Sequence, residues 1–227
     1  MTSGDKRRYN LFIRYTDHLN FLKSQGIISI VLQFDRTYIC PICKEQFSEA
    51  ALDQSIKNPL TLEDAPPKSL GGKAEVLTCR DCNNTCGQQI DVHLTERLVE
   101  IDQKKFKPGV SFAAQTEHGG NAVQGLVTVS EAGEITIEHS KGKNNPEILK
   151  QYRDTTGKDD LININFKESK VDMGRLQVAL LKTGFLLIFA KFGYSLYLTL
   201  PMIKFGRNLR TLTRKSIQWT FGSIQKT

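Results

Sequence analysis

An amphipathic pattern opens the chain. Apolar side chains return every three or four positions here, which predicts a helix over residues 5–25 that ends at Gly26. The β-branched run 27–34 that follows predicts a short strand leading to Cys40. The apolar positions of the predicted helix are Leu11, Phe12, Tyr15, Leu19 and Leu22.

The middle of the chain changes from strand pattern to helix pattern. Residues 60–72 begin as a predicted strand and continue as a loop rich in proline and glycine, and residues 73–78 predict a second strand. A helix capped by Asn83 or Asn84 is then predicted to run to about Lys104. The predicted order is therefore strand, loop, strand, helix. The apolar face of this helix consists of Ile90, Leu94, Leu98 and Ile101.

The second half predicts a further mixture of strands and helices. Residues 123–129 and 134–138 read as a hairpin, and residues 161–166 alternate apolar and polar as a half-buried strand does. A short helix is predicted to reach about Arg153, and residues 173–192 predict a strongly apolar helix. The fold class expected from these patterns is α+β.

The most apolar stretch, residues 178–203, predicts buried core and no membrane span. Lys182 and Lys191 interrupt it, and Pro201 shortens its uncharged part further. A bilayer requires about 20 consecutive apolar residues. The N-terminus likewise lacks the apolar run of a signal peptide, so the expected location is the cytoplasm.

Composition excludes several classes of protein. The chain has 227 residues, of which 39% are hydrophobic and 24% charged, and it contains 17 glycines and 7 prolines. These values exclude collagen, wholesale disorder and a disulfide-stapled miniprotein. The net charge of +7 favours a polyanionic partner, either nucleic acid or an acidic membrane surface.

Four of the five cysteines form two Cys-x-x-Cys pairs, Cys40 with Cys43 and Cys79 with Cys82. A two-residue gap lets each pair reach one ion from a tight turn, and Zn²⁺ takes four such thiolates in tetrahedral structural sites. The spacing therefore predicts a structural zinc that does no chemistry. Cys86 lies outside the pairs and is expected to be a buried core residue.

The segment between and after the pairs resembles a known family. Its residues Glu63-Asp64-x-x-Pro67, Leu70-Gly-Gly72 and Cys82-Asn83 are similar to the zinc-knuckle branch of the HNH, or ββα-metal, endonucleases. The resemblance implies a zinc-stapled ββα-metal domain over residues 38–106. An N-terminal helix and strand over residues 1–37 would precede it, and an α+β extension with a basic tail over residues 107–227 would follow.

The resemblance also implies roles for three residues. By position, Glu63 and Asn83 would hold a catalytic Mg²⁺ or Mn²⁺, since such ions take carboxylate and amide oxygens. Asp64 stands where the family usually has a histidine that activates water. Because a carboxylate with a pKa of about 3.9 is a much weaker base than histidine at about 6.5, two alternatives follow. Either Asp64 positions water or binds metal in a slower nuclease, or the site binds without hydrolysis.

The expected function is hydrolysis of DNA phosphodiester bonds, with RNA as an open alternative and restriction, phage defence or mobile elements as the context that the resemblance implies. The alternatives are a catalytically impaired nucleic-acid-binding module and a subunit of a larger defence assembly, with a partner protein or a second copy. The residues expected to contact nucleic acid are Lys68, Lys73, Arg207, Arg210 and Arg214.

Overall fold

A computed structural model describes residues 2–157, 160–167 and 170–197 of the chain. The basic tail that carries Arg207, Arg210 and Arg214 lies outside these residues. In chain order the elements are α1 (Ser3–Ser24), β1 (Tyr38–Ile39), β2 (Gln46–Phe47), β3 (Leu60–Ala65), β4 (Lys73–Cys79), α2 (Arg80–Cys86), α3 (Val92–Lys104), β5 (Ser111–His118), β6 (Asn121–Val129), β7 (Ile135–Glu138), α4 (Pro146–Thr155), β8 (Asn163–Asn165), α5 (Met173–Phe192) and α6 (Tyr194–Tyr197).

The fold is mixed α+β, as the sequence predicts, and its described residues form two compact units. Residues 2–95 and 171–197 form the first unit, and residues 96–157, 160–167 and 170 form the second. This grouping differs from the three consecutive segments expected from the sequence. The reason is that α1 and α5, which lie outside the zinc-knuckle segment in sequence, share its hydrophobic core.

Helix α1 begins with a capping box, in which Thr2 and Asp5 bond each other's backbone N–H groups. One face of the helix is buried, which confirms the predicted periodicity. Tyr15 stacks on Phe189 of α5 at a centroid distance of 4.8 Å. Tyr194 packs edge-on against Phe189, and its hydroxyl hydrogen-bonds the backbone of Ile39. Aromatic packing thus holds α1 against the end of α5, and the Tyr194 hydroxyl links that end to Ile39 at the start of the zinc-knuckle segment.

The strand predicted over residues 27–34 is wrong. This segment contains bends and no strand, and Val31 is 81% exposed. Its backbone pairs with the side chain of Gln46, whose Oε1 accepts from Gln33 N at 2.9 Å and whose Nε2 donates to Val31 O at 2.9 Å. The β-branched residues therefore have no strand partner, and propensity without pairing does not make a strand.

The hairpin of β3 and β4 carries the residues of the HNH-like motif. The strands are antiparallel, with Leu60 opposite Cys79 and Ala65 opposite Lys73, and the register shifts at a β-bulge between Glu63 and Asp64. A bulge bends its strand and redirects side chains. The two acidic residues of the motif are neighbours on this strand and occupy different environments: Glu63 is buried and Asp64 is partly exposed.

Helix α2 follows β4 directly and continues through a π-helical turn, Gly87–Asp91, into α3. The predicted helix is confirmed, with this turn inserted in it. The expected cap at Asn83 or Asn84 is wrong: strand β4 passes directly into α2 at its N-cap Cys79, so both asparagines lie inside the helix. An inserted π turn rotates the residues after it relative to those before it, and such turns are common at functional sites. Ile90 and Leu94 point into the core, while Asp91 lines an open cleft beside it.

Helix α5 begins at the cap residue Asp172, whose carboxylate accepts from Arg175 N, and ends before Gly193. Its Leu176, Phe185 and Phe189 are buried, and so is Lys182. Within the described part of the chain, α5 is the one helix long and apolar enough to cross a membrane by length and composition. Core helices of soluble proteins are often as long and as apolar, and 44% of the most apolar 18-residue segment of α5 is buried in the protein.

The second unit is built on a four-stranded sheet in the order β7-β6-β5-β8, with antiparallel neighbours throughout. The predicted hairpin of β6 and β7, the strand β8 and the helix α4 are confirmed. Phe112 stacks on Phe166 at 5.3 Å on one part of the sheet. Leu149 and Tyr152 of α4 pack with Val123 elsewhere in the unit. The unit therefore has apolar clusters of its own.

Candidate functional site

The four paired cysteines converge as the sequence predicts. Their Sγ atoms all lie within 4.8 Å of one another, and the Sγ atoms of Cys43 and Cys79 are 3.7 Å apart. Cys40 and Cys43 lie on a tight turn closed by Lys44 N donating to Cys40 O, while Cys79 ends β4 and Cys82 lies in the first turn of α2. Such a tetrad could hold a structural metal ion such as zinc.

The chemistry of the tetrad fits a cation. Hydrogen bonds with Cys40, Cys43 and Cys79, together with burial, raise the pKa of the Cys82 thiol. A bound Zn²⁺ would instead hold all four cysteines as thiolates. Cys86 is not part of the tetrad. Burial raises its pKa to about 12, so it is an inert core residue, as expected from the sequence.

A second site is an open cleft of about 350 Å³ over the β3–β4 hairpin and the following helix. It brings together the three residues that the sequence assigns to catalysis, Glu63, Asp64 and Asn83. Lys68 also lines the cleft, from the loop between the strands. Asp91 lines it from the π-helical turn. The cleft thus combines carboxylates, an amide and a cationic side chain, the groups that contact a phosphate or a metal ion.

Glu63 lies at the buried end of this cleft and is 3% exposed. Its Oε1 accepts from the ammonium of Lys182 at 2.7 Å, and its Oε2 accepts from the hydroxyl of Thr78 at 2.9 Å. Burial raises the pKa of Glu63, and Lys182 opposes that rise. Both oxygens of the carboxylate are therefore engaged within the protein.

Lys182 comes from α5 and is 2% exposed at its side chain. Its ammonium also lies 2.6 Å from Oδ2 of Asp91, so that it bridges two carboxylates. Although burial alone would lower the pKa of Lys182, the two carboxylates raise it above the ordinary value. Lys182 is consequently a fixed ammonium at neutral pH.

Asn83 and Asp64 are arranged differently from Glu63. The Asn83 amide Nδ2 donates to Thr61 Oγ1 at 3.0 Å and to Leu62 O at 2.9 Å. These two bonds fix the plane of the amide. Both involve its nitrogen, and neither involves its oxygen, Oδ1. Asp64 is partly exposed at the same cleft. Its carboxylate and the Asn83 oxygen can both be offered to a ligand.

The residues expected to hold a catalytic divalent ion differ in their contacts. An ion bound by Glu63 would share its carboxylate with the Lys182 ammonium and would be repelled by it. Asp64 and Asn83 line the same cleft, and Mg²⁺ in general takes one or two protein oxygens and otherwise keeps waters or phosphate oxygens.

The remaining candidate residues are placed as follows. Lys68 and Lys73 are exposed beside the hairpin loop, where an extended anion can reach them. His93, which lies well along the helix, accepts from Asp172 N at 3.1 Å through its Nδ1, as a packing residue would.

Sequence reasoning missed Asp91, which lines the cleft, and Lys182, which bonds both Glu63 and Asp91. The sequence alone gives Asp91 no role and shows Lys182 only as an interruption of an apolar stretch. The available signal was a lysine inside a helix that is otherwise apolar, since a buried charge requires a partner. That signal indicates that a partner exists without identifying it.

Comparison of the chain with family models, with curated proteins and with solved structures finds no match.

Proposed function

We propose that this chain is an HNH-type endonuclease that hydrolyses DNA phosphodiester bonds, with a zinc ion stapling the fold. The observation that carries the proposal is the open cleft in which Asp64, Asn83 and Lys68 meet at the bulge of a strand-loop-strand-helix unit. The resemblance of the same residues to the HNH motif supports it.

In this proposal Lys68 contacts the phosphate and Asp64 orients the attacking water. The water oxygen bonds to phosphorus while the bond from phosphorus to the leaving sugar oxygen breaks. The Asp64 carboxylate accepts the proton of the water, and the leaving oxygen takes a proton from solvent. Asp64 and Asn83 are the residues that would hold Mg²⁺ or Mn²⁺, which when bound would stabilise the charge that develops on the phosphoryl oxygens.

Nicking of supercoiled plasmid DNA by the zinc-loaded protein in Mg²⁺ or Mn²⁺ tests the proposal. We expect Asp64→Asn to slow nicking by about 10²-fold or more, because it removes the group that accepts the proton. Asp17→Asn is the matched control, since Asp17 is exposed on α1 and does not line the cleft. Equal nicking by both variants would point to a contaminating nuclease and refute the assignment.

A second candidate function is binding to nucleic acid without cleavage. The engagement of both Glu63 oxygens by Lys182 and Thr78 favours it, because the acidic residue of the motif is used inside the protein. It predicts no nicking by the wild-type protein, together with a gel shift of DNA that weakens steeply as salt rises. The double variant Lys68→Ala, Lys73→Ala would weaken that shift.

A further inference from the structure

The charged side chains of Glu63, Asp91 and Lys182 form one hydrogen-bonded group beneath the cleft. Lys182 lies 2.7 Å from Glu63 and 2.6 Å from Asp91, although these partners are 119 and 91 residues away in the sequence. Glu63 stands on β3, Asp91 on the π-helical turn and Lys182 on α5. The ammonium thus connects β3, the π-helical turn and α5.

We propose that Lys182 is the resident cation of the Glu63 carboxylate, so that Glu63 binds no divalent ion in this protein. The inference deepens the proposed function, because it separates Glu63 from the residues offered to a metal. Asp64 with Asn83 remains the part of the cleft open to ligands.

Three observations support this assignment. The Lys182 side chain is buried, so its ammonium cannot be exchanged for a metal without moving α5 or the side chain. The two carboxylates hold the pKa of Lys182 above its ordinary value, so the cation does not vanish by losing a proton. Thr78 occupies the second Glu63 oxygen, which leaves the carboxylate engaged on both sides.

The inference predicts that removal of the ammonium creates a metal site. Without Lys182, Oε1 of Glu63 and Oδ2 of Asp91 would lose the cation they share, and Oδ1 of Asp91 already has no hydrogen-bond partner among the described residues. Hard divalent ions bind such carboxylate oxygens. Lys182→Met keeps most of the side-chain volume while it deletes the charge.

The test is a titration of the zinc-loaded protein with Mn²⁺, with the free ion followed by electron paramagnetic resonance. We expect Lys182→Met to bind Mn²⁺ at least about tenfold more tightly than the wild-type protein, since a competing cation has been removed. The gain should be lost when Glu63→Gln is added. Lys191→Met, which removes an exposed charge from the same helix, should behave as the wild-type protein does. A folded Lys182→Met protein without this gain would overturn the proposal.

The wild-type background provides a second test if Lys182→Met does not fold. Glu63→Gln should leave any Mn²⁺ affinity of the wild-type protein within about twofold, a small shift beside the loss that follows removal of a true ligand. A tenfold loss would show that Glu63 is a metal ligand and would overturn the inference. Because the readout is Mn²⁺ binding, an absence of plasmid nicking would refute the proposed function without affecting this result.

Discussion

The loop between β3 and β4 depends on two adjacent glycines for different physical reasons. Gly71 has φ +81°, a left-handed conformation that side chains disfavour. A Cβ on Gly72 would lie 1.6 Å from the carbonyl oxygen of Pro66, which no rotamer change can relieve because the obstacle is backbone. The loop that carries Lys68 to the cleft therefore requires glycine at both positions of the motif's Gly-Gly pair.

Gly72→Ala should destabilise the protein by about 3 kcal/mol or more, because the loop must rearrange to admit the methyl group. Gly87→Ala is the matched control: an added Cβ there meets nothing within 4 Å and the backbone is helical. It should be neutral or stabilise by about 0.5–1 kcal/mol. Chemical denaturation monitored by circular dichroism measures both changes, and equal effects of the two substitutions would contradict this account.

At the scale of elements, the cysteine tetrad joins two pieces of backbone, and one of them has little strand pairing of its own. Strands β1 and β2 are two residues each, and the turn between them supplies Cys40 and Cys43. Cys79 and Cys82 come from the junction of β4 with α2. A metal that binds the folded state alone stabilises it by its binding free energy, which for such sites is about 10–16 kcal/mol.

The Cys79→Ser variant should therefore lose most of its zinc and melt at a markedly lower temperature. Zinc content by atomic emission and melting by circular dichroism provide the two measurements. Cys86→Ala serves as the control, because Cys86 is buried near the tetrad without belonging to it. That variant should keep one zinc per chain and lose only packing energy. Loss of zinc in Cys86→Ala would show that the ligand assignment is wrong.

Strand β5 shows why one element escaped prediction. Its inward positions alternate as a strand requires, with Phe112, Ala114 and Thr116 buried. Two of these three are small or polar, so the hydrophobic signal is weak. Thr116 is accommodated because its hydroxyl contacts His139 Nε2 at 2.9 Å. A partner that directly follows another strand, β7, makes this position possible, and the local sequence does not contain that information.

At the scale of the whole molecule, each unit holds one histidine whose pKa is lowered. Burial lowers the pKa of His18 in the first unit, and Arg14 adds to it. Burial likewise lowers the pKa of His139 in the second unit, with Arg153 contributing. Both rings also make hydrogen bonds, His18 to Ser195 and His139 to Thr116.

These two shifts predict a loss of stability as the solution becomes acidic. The unfolded chain takes up the protons near pH 6.5, before the folded protein does, so protonation favours unfolding. The stabilisation is complete above about pH 6.5 and falls as the pH drops through the lowered pKa values. Denaturation of the wild-type protein at pH 7.5 and 5.5 should show this loss, and the double variant His18→Gln, His139→Gln should show a smaller one. An equal loss in both proteins would assign it to other groups.

Features that depend on short spacing along the chain follow from the sequence alone. The gap of two residues in each cysteine pair, the periodicity of α1 and α5, and the glycines of the hairpin loop are local constraints, and each could be read without knowing the fold. The short strand-loop-strand-helix segment also brings Glu63, Asp64 and Asn83 to one cleft.

Tertiary structure alone decided what those residues contact. The pairing of Glu63 with Lys182 joins positions 119 residues apart, and no spacing rule relates them. Glu63 is buried and its neighbour Asp64 is partly exposed, which makes Glu63 the partner of an internal ion pair and Asp64 a candidate ligand. The physical reason is that a buried charge is tolerated only beside an opposite charge, and which one lies beside it is set by how distant elements pack.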